Sequence, residues 1–151
     1  SVQEDATLRL EERFINHPAL AIEQSRIAIN AMAEKYDIFI SVHHNAAEKH
    51  DPCGIETFAP ETPRAGQMES FYLAFLIQRN LVRRLHENDR GVKSERFFVL
   101  EKTKIPAVLI EAGFISNAED EKKIADPARR RKIGEAVADA LVEFYRATAA
   151  K

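Results

Sequence analysis

The sequence is short of the residues that staple or thread small proteins. It has a single cysteine, Cys53, among 151 residues. An internal disulfide framework and a zinc site of paired cysteines are therefore excluded. Tryptophan is absent, glycine occurs five times, and neither a repeat nor a Gly/Ser linker interrupts the chain. No apolar stretch approaches the roughly 18 residues of a membrane span. An excess of one charge is lacking too: 22 Lys and Arg stand against 24 Asp and Glu, a formal net charge of −2. Nothing in that balance points to nucleic acid as a partner. What is present is apolar material, 45% of the residues, which suffices for a core and excludes wholesale disorder. The length suits one domain, taken as residues 1–151.

Hydrophobic periodicity divides the chain into elements. Within the first fifteen residues Leu8, Leu10 and Phe14 mark a short helical pattern, ended by Asn16-His17-Pro18. Residues 19–35 form an amphipathic helix with Leu20, Ile22, Ile27, Ile29 and Met32 on its apolar side. Residues 37–45, DIFISVHHN, are β-branched and aromatic and too few for a helix, so they read as a buried strand. A second strand covers 55–58, and a long helix covers 66–88 with Phe71, Phe75, Leu81 and Leu85 as its spine, stopped by Asn88-Asp89-Arg90-Gly91. Residues 97–100 predict a third strand and 107–112, AVLIEA, a fourth. Asn117 reads as a helix cap with Asp120 and Glu121 in the first turn, and a last helix spans 127–148 with Pro127 at its start. Strands apolar on both sides need helices on both faces of their sheet, so the class is α/β.

Two strand ends carry the chemistry. Ser41-Val42-His43-His44-Asn45 closes one apolar strand, and Glu111 lies near the end of another. Ligands of α/β sheets gather beyond the carboxyl ends of strands. Alternation places His43 and His44 on opposite faces, so one metal at that strand takes one of them. The bland reading is a hydrogen-bonded histidine at a strand end, and for Glu111 a salt bridge to a nearby Arg or Lys. A carboxylate at the end of so apolar a strand is costly unless paired. An imidazole and a carboxylate facing one cleft suit zinc hydrolysis, the imidazole holding metal and the carboxylate taking a proton from water. Elsewhere the bland readings lead. Cys53 is a small hydrophobe, and Ser41 lacks the glycines of a nucleophile elbow. Arg129-Arg130-Arg131-Lys132 reads as the solvated start of the last helix. The basic set Arg79, Arg83, Arg84, Arg90, Lys93 and Arg96 reads as a solvated face, or else a rim attractive to an anionic polymer.

With these stretches in order, the chain resembles the zinc-dependent N-acetylmuramoyl-L-alanine amidases of bacterial cell walls, of the amidase-3 type. The likeness runs through Ser25–Asn30, the strand Asp37–Asn45, Gly54-Ile55-Glu56-Thr57-Phe58, Asp89-Arg90-Gly91-Val92-Lys93, and Val99-Leu100 through Pro106–Asn117. It covers about residues 20–145. The resemblance implies a mixed, mostly parallel sheet flanked by helices on both faces. It implies hydrolysis of the amide between N-acetylmuramic acid and L-alanine in peptidoglycan, with zinc as cofactor. His43 becomes a zinc ligand, Glu111 the carboxylate that activates water and later protonates the leaving amine, Asn45 a support behind the ligands, and Arg90 part of the substrate rim. Glu56 is read as structural and His44 as pointing away from the zinc.

The chain departs from the family pattern at its front. The family's His-Gly-Gly strand end and ligand glutamate have no counterpart, since Glu4, Glu11, Glu12, Glu23 and His17 all stand in the wrong context. Two of three zinc ligands stay unassigned. The expectation is a domain whose N-terminal strands are absent from this chain, leaving an open sheet edge. That edge and the site would be completed by the missing N-terminal segment or an activator protein. The competing readings are a non-catalytic fragment or pseudoenzyme that binds cell-wall polymer or a partner protein, and an unrelated metallohydrolase using His43, His44 and His50. The substrate implies work in the periplasm or cell wall.

Overall fold

The computed structural model of the protein describes residues 36–149. The two helical patterns read before residue 36, and the residues Glu4, Glu11, Glu12, His17 and Glu23, lie outside the described residues.

Four strands form one mixed sheet: β1 (Phe39–Asn45), β2 (Ile55–Pro60), β3 (Asp89–Glu95) and β4 (Ala107–Phe114). Their spatial order is β1-β4-β2-β3. β1 runs parallel to β4 and β2 parallel to β3, while β2 and β4 are antiparallel. The helices are α1 (Ser70–Leu85), α2 (Phe98–Lys102), α3 (Ala118–Ile124) and α4 (Pro127–Thr148). β2 and β4 are buried along their whole length, as central strands with helices over them must be.

Alternation sorts the side chains between two faces. Ile55, Ala59, Val108, Ile110 and Ala112 point to one face, where they pack with Leu73, Leu76, Ile77 and Leu81 of α1 and Ile133, Ala136, Ala140 and Phe144 of α4. Phe58, Ala107 and Leu109 point to the other, against Leu100 of α2 with Phe39, Phe97 and Val99. Each fully buried Leu, Ile or Phe contributes about 1.5–3 kcal/mol of transfer free energy, so the first face is the main source of stability. Ion pairs from Arg79 to Glu143 and from Arg84 to Glu135 and Asp139 lace α1 to α4. Much of the basic set expected to be a solvated face thus has acidic partners.

The expected strand at 97–100 is instead the turn of helix α2, and the third strand is Asp89–Glu95. The physical reason lies in position. β3 is an outer strand among the described residues, bonded to β2 alone, so it needs no apolar alternation, and its charged residues find partners across β2. Phe97, Val99 and Leu100 form a run too short for periodicity to separate helix from strand. The long helix also ends earlier than residue 88, at Leu85, where His86 adopts a left-handed φ of 54° and its N–H caps the carbonyl of Val82.

The apolar spine of the long helix differs too: Phe71 and Phe75 are exposed, and the helix buries Leu73, Ala74, Leu76, Ile77 and Leu81 instead. β1, expected to be a buried strand, has no fully buried residue. The helix starts at the chain's C-terminal end match. Asn117 caps α3 by accepting from the N–H groups of Glu119 and Asp120. Asp126 caps α4, with Pro127 in its first turn. Asp120 does more than sit near a helix dipole: fully buried, it accepts from the N–H of Gly54 at 2.8 Å and from that of Phe114 at 3.0 Å. One carboxylate therefore ties the entry of β2 to the exit of β4. Gly54 fits there because its φ is 106° and a Cβ would lie 2.4 Å from the carbonyl oxygen of Asn88.

Candidate active site

His43 and Glu111 are direct neighbours across the β1–β4 pairing, and Glu111 in turn faces Glu56 across the β4–β2 pairing. The three residues form a row on the sheet face that carries Phe58 and Leu109, because each lies an even number of residues from an apolar residue of that face. Adjacent strands lie about 4.8 Å apart, so the row places an imidazole and two carboxyl groups within side-chain reach of each other. His43 is exposed, and its Nε2 shares a 2.8 Å hydrogen bond with the Ser41 hydroxyl two residues back.

The two carboxyl groups stand in opposite states. Glu56, only 3% exposed, accepts from Asn45 Nδ2 at 3.0 Å and from Arg90 Nε at 2.9 Å, and Lys93 donates to the same oxygen as Arg90. Burial alone would raise its pKa, but the bonds and charges of Lys93 and Arg90 outweigh burial and hold it below the ordinary carboxylate value. Glu111 is 8% exposed, and its buried Oε2 has no hydrogen-bond partner among the described residues. Burial first, and the charge of Glu56 second, push its pKa from 4.5 to about 7. The expected salt bridge from Glu111 to an Arg or Lys is not among the described ion pairs; the neighbouring cations go to Glu56. The reading of Glu56 as a structural residue agrees with this network.

His44 faces the opposite side of the sheet. Its Nδ1 donates to the carbonyl of Ala112 at 3.2 Å. Arg129 Nη2 donates to the same carbonyl at 3.0 Å and, with Nε, grips Glu87 in a two-pronged pair at 2.7 and 2.8 Å. Burial first, and then the charges of Arg129 and His43, lower the pKa of His44 against the raising effect of its backbone bond. Arg129 is 5% exposed, which corrects its reading as part of a solvated helix start. Glu87 and the Ala112 carbonyl pair its Nε and Nη2, while its buried Nη1 has no partner among the described residues. Arg129 thus holds the carbonyl of Ala112, next to Glu111, which His44 also bonds, and sequence reasoning missed it because Arg130 and Arg131 beside it are exposed. His50 donates from Nδ1 to the carbonyl of Ser116 at 2.8 Å. His43, His44 and His50 do not form one cluster, and among the described residues no three His, Cys, Asp or Glu side chains converge as a metal cage. Cys53 is a half-buried free thiol.

The donor set suits a metal-assisted hydrolytic site in part. Glu111 Oε2 is a buried polar atom with no hydrogen-bond partner among the described residues, next to an exposed imidazole. An orphaned oxygen in a native site calls for a partner outside the polypeptide described. His43 is the residue placed to hold a metal and Glu111 the one placed to handle a proton beside it.

The fold is an α/β domain with a mixed sheet that carries His43, Glu111 and Glu56 in one row, and comparison with known proteins specifies it. A family profile for N-acetylmuramoyl-L-alanine amidase matches residues 4–143, and the chain belongs to that family. It is 37% identical over 123 residues to the N-acetylmuramoyl-L-alanine amidase LytC of Bacillus subtilis, an alignment covering 82% of this chain and 24% of LytC. The crystal structure of N-acetylmuramoyl-L-alanine amidase from Clostridium difficile 630 superposes with a TM-score of 0.75 at 26% identity, over 83% of this chain and 65% of that one. The CwlD amidase from Clostridioides difficile, in complex with the GerS lipoprotein, superposes with a TM-score of 0.74 at 29% identity, over 84% of this chain and 62% of that one. The chain therefore spans about a quarter of LytC and less than two thirds of either solved chain.

Proposed function

We propose that this domain hydrolyses the amide bond between N-acetylmuramic acid and L-alanine in peptidoglycan, with Glu111 as the proton-transfer residue and His43 as a zinc ligand. The observation that carries this reading is the state of Glu111: buried, unpartnered at Oε2, next to His43, and with a pKa of about 7. A carboxyl group poised near neutrality can take a proton and return it, which a carboxylate held like Glu56 cannot do readily. Glu111 accepts a proton from water as its oxygen bonds to the amide carbon. It then delivers that proton to the alanine nitrogen as the carbon–nitrogen bond breaks, leaving a carboxylic acid and a free amine. His43 would hold zinc, which when bound would polarise the scissile carbonyl and make the attacking water more acidic. The Ser41 hydroxyl orients the imidazole, and Asn45 steadies Glu56 rather than the zinc ligand. The remaining ligands come from outside the described residues or from a protein partner; CwlD in its GerS complex supports a partner as one route. Peptidoglycan as substrate places the activity in the periplasm or cell wall, and no helix among the described residues is long and apolar enough to cross a membrane.

The test is Glu111→Gln in the full-length protein, with zinc content and release of amino-terminal alanine from purified peptidoglycan measured together. Turnover falls by about 10²–10⁴-fold, the usual worth of a general acid–base group, while zinc stays bound; His43→Ala loses zinc. Undiminished turnover in Glu111→Gln overturns the reading. An active-site variant that binds wall polymer as before, from a wild type with no turnover, favours the non-catalytic alternative.

A further inference from the structure

The row of charges around Glu56 holds a group that the hydrolytic step does not use. Arg90 lies on β3, yet its guanidinium reaches across β2: Nε donates to Glu56 Oε2, and the guanidinium carbon stands 4.8 Å above the ring of Phe114 at the end of β4. Glu56 and Phe114 lie on either side of Glu111, one across the β2–β4 pairing and one three residues along β4. The guanidinium is thus fixed by a buried carboxylate on one edge and an aromatic face beneath, close to the proposed proton-transfer residue. With Nε committed, its two terminal nitrogens have no partner among the described residues, and the side chain is 29% exposed. Those two nitrogens form the end-on fork that matches a carboxylate. The local charge agrees. Lys93 also bonds Glu56, so two cations share one buried carboxylate.

We propose that Arg90, oriented by Glu56 and Phe114, is a carboxylate-recognition subsite for the acidic residue that follows L-alanine in the peptidoglycan stem peptide. The inference rests on the amidase reading and deepens it. In that polymer the second stem residue is a glutamic acid whose free carboxyl group is either kept or converted to a carboxamide. A cationic fork of two N–H donors binds the carboxylate better than the amide, since hydrogen bonds to an ionised acceptor are about twice as strong as neutral ones. Lys93 holds Glu56 in place when Arg90 engages substrate, so Arg90 can share its charge without leaving a buried carboxylate bare.

The experiment uses the zinc-loaded full-length protein and two soluble muropeptides that differ only in that group, glutamate or its amide. The wild type cleaves the carboxylate form with kcat/KM about tenfold higher or more, chiefly through KM, as a charged hydrogen-bond pair predicts. Arg90→Gln erases the preference, losing far more on the carboxylate substrate than on the amide. Arg90→Lys keeps the ion pair with Glu56 and the fold but lacks the fork, and loses most of the preference. Equal kcat/KM for both substrates in the wild type, or an equal drop on both in Arg90→Lys, overturns the subsite. If the wild type cleaves neither, equilibrium binding of the two muropeptides decides. Tighter binding of the carboxylate form supports the subsite and overturns only the amidase reading, whereas equal binding overturns the subsite.

Discussion

Glu56 and Glu111 occupy facing positions on adjacent strands of one sheet face, are almost equally buried, and yet end in opposite electrostatic states. The strands and the burial are shared, so neither explains the difference. What differs is the neighbouring outer strand. On the β3 side the strand brings Arg90 and Lys93, which join Asn45 from β1 on Glu56. On the β1 side Glu111 meets His43, which is occupied with Ser41. Glu56 is anchored in its charged form and cannot easily be protonated; Glu111 is left able to exchange a proton. The comparison teaches that the sheet builds reactivity by what it withholds from one carboxyl group and gives to the other.

The largest effect expected from breaking this contrast falls on Glu56. Glu56→Gln removes the acceptor that holds Arg90 and Lys93 together, and thermal or denaturant unfolding should show a loss of about 2–3 kcal/mol. That is below the roughly 3–5 kcal/mol of a fully buried broken pair, because both cations are partly solvated and screened. With the charge of Glu56 gone, the Glu111 pKa should move down from about 7, and carboxyl titration followed by NMR would register it.

A smaller effect separates the two carboxyl groups by pH in the metal-free protein. Glu111 has a raised pKa, so the folded state binds its proton more tightly than the unfolded state does. Its effect is to lower stability as pH climbs from about 4.5 to about 7. Glu56 has a lowered pKa, so its contribution is present above the ordinary carboxylate value and is lost as pH falls through its folded value. Glu111→Gln removes the first slope and keeps the second. The variant should match the wild type near pH 4 and exceed it by about 2 kcal/mol at pH 8, given about 1.4 kcal/mol per pKa unit reduced for partial solvation. A gain that is the same at both pH values would show that Glu111 does not carry the buried, unpaired carboxylate. The smallest effect is that of Asn45→Ala, which takes one of three donors from Glu56. About 1 kcal/mol of stability is expected to go, with zinc content unchanged, since Asn45 bonds Glu56 and not His43.

The sequence alone was enough for much of this site. The run carrying His43 and the run carrying Glu111 read as strands because both are short and rich in strand-forming residues, although only the second is buried along its whole length. Alternation then set His43 and His44 on opposite faces, as the bond from His44 to Ala112 bears out. The cap at Asn117 and the first-turn proline Pro127 were local chemistry and equally legible. Asp89–Glu95 was not, because an outer strand that uses its charged side chains across the sheet has the composition of a loop. Arg129 was misread for the same kind of reason: in a run of four basic residues, nothing local tells which one meets a buried glutamate.

The division between the two has a physical basis. Periodicity, turn chemistry and capping depend on residues within a few positions of one another, so the sequence by itself determined the elements, the sheet face of each candidate residue and the family. Which strand lies beside which depends on packing between distant segments. Only the tertiary structure decided that β2 and β4 lie side by side, that Arg90 and Lys93 go to Glu56, and that Glu111 is left buried without a partner. The residue type at Glu111 was written in the chain; its raised pKa came from burial and from Glu56 beside it in space.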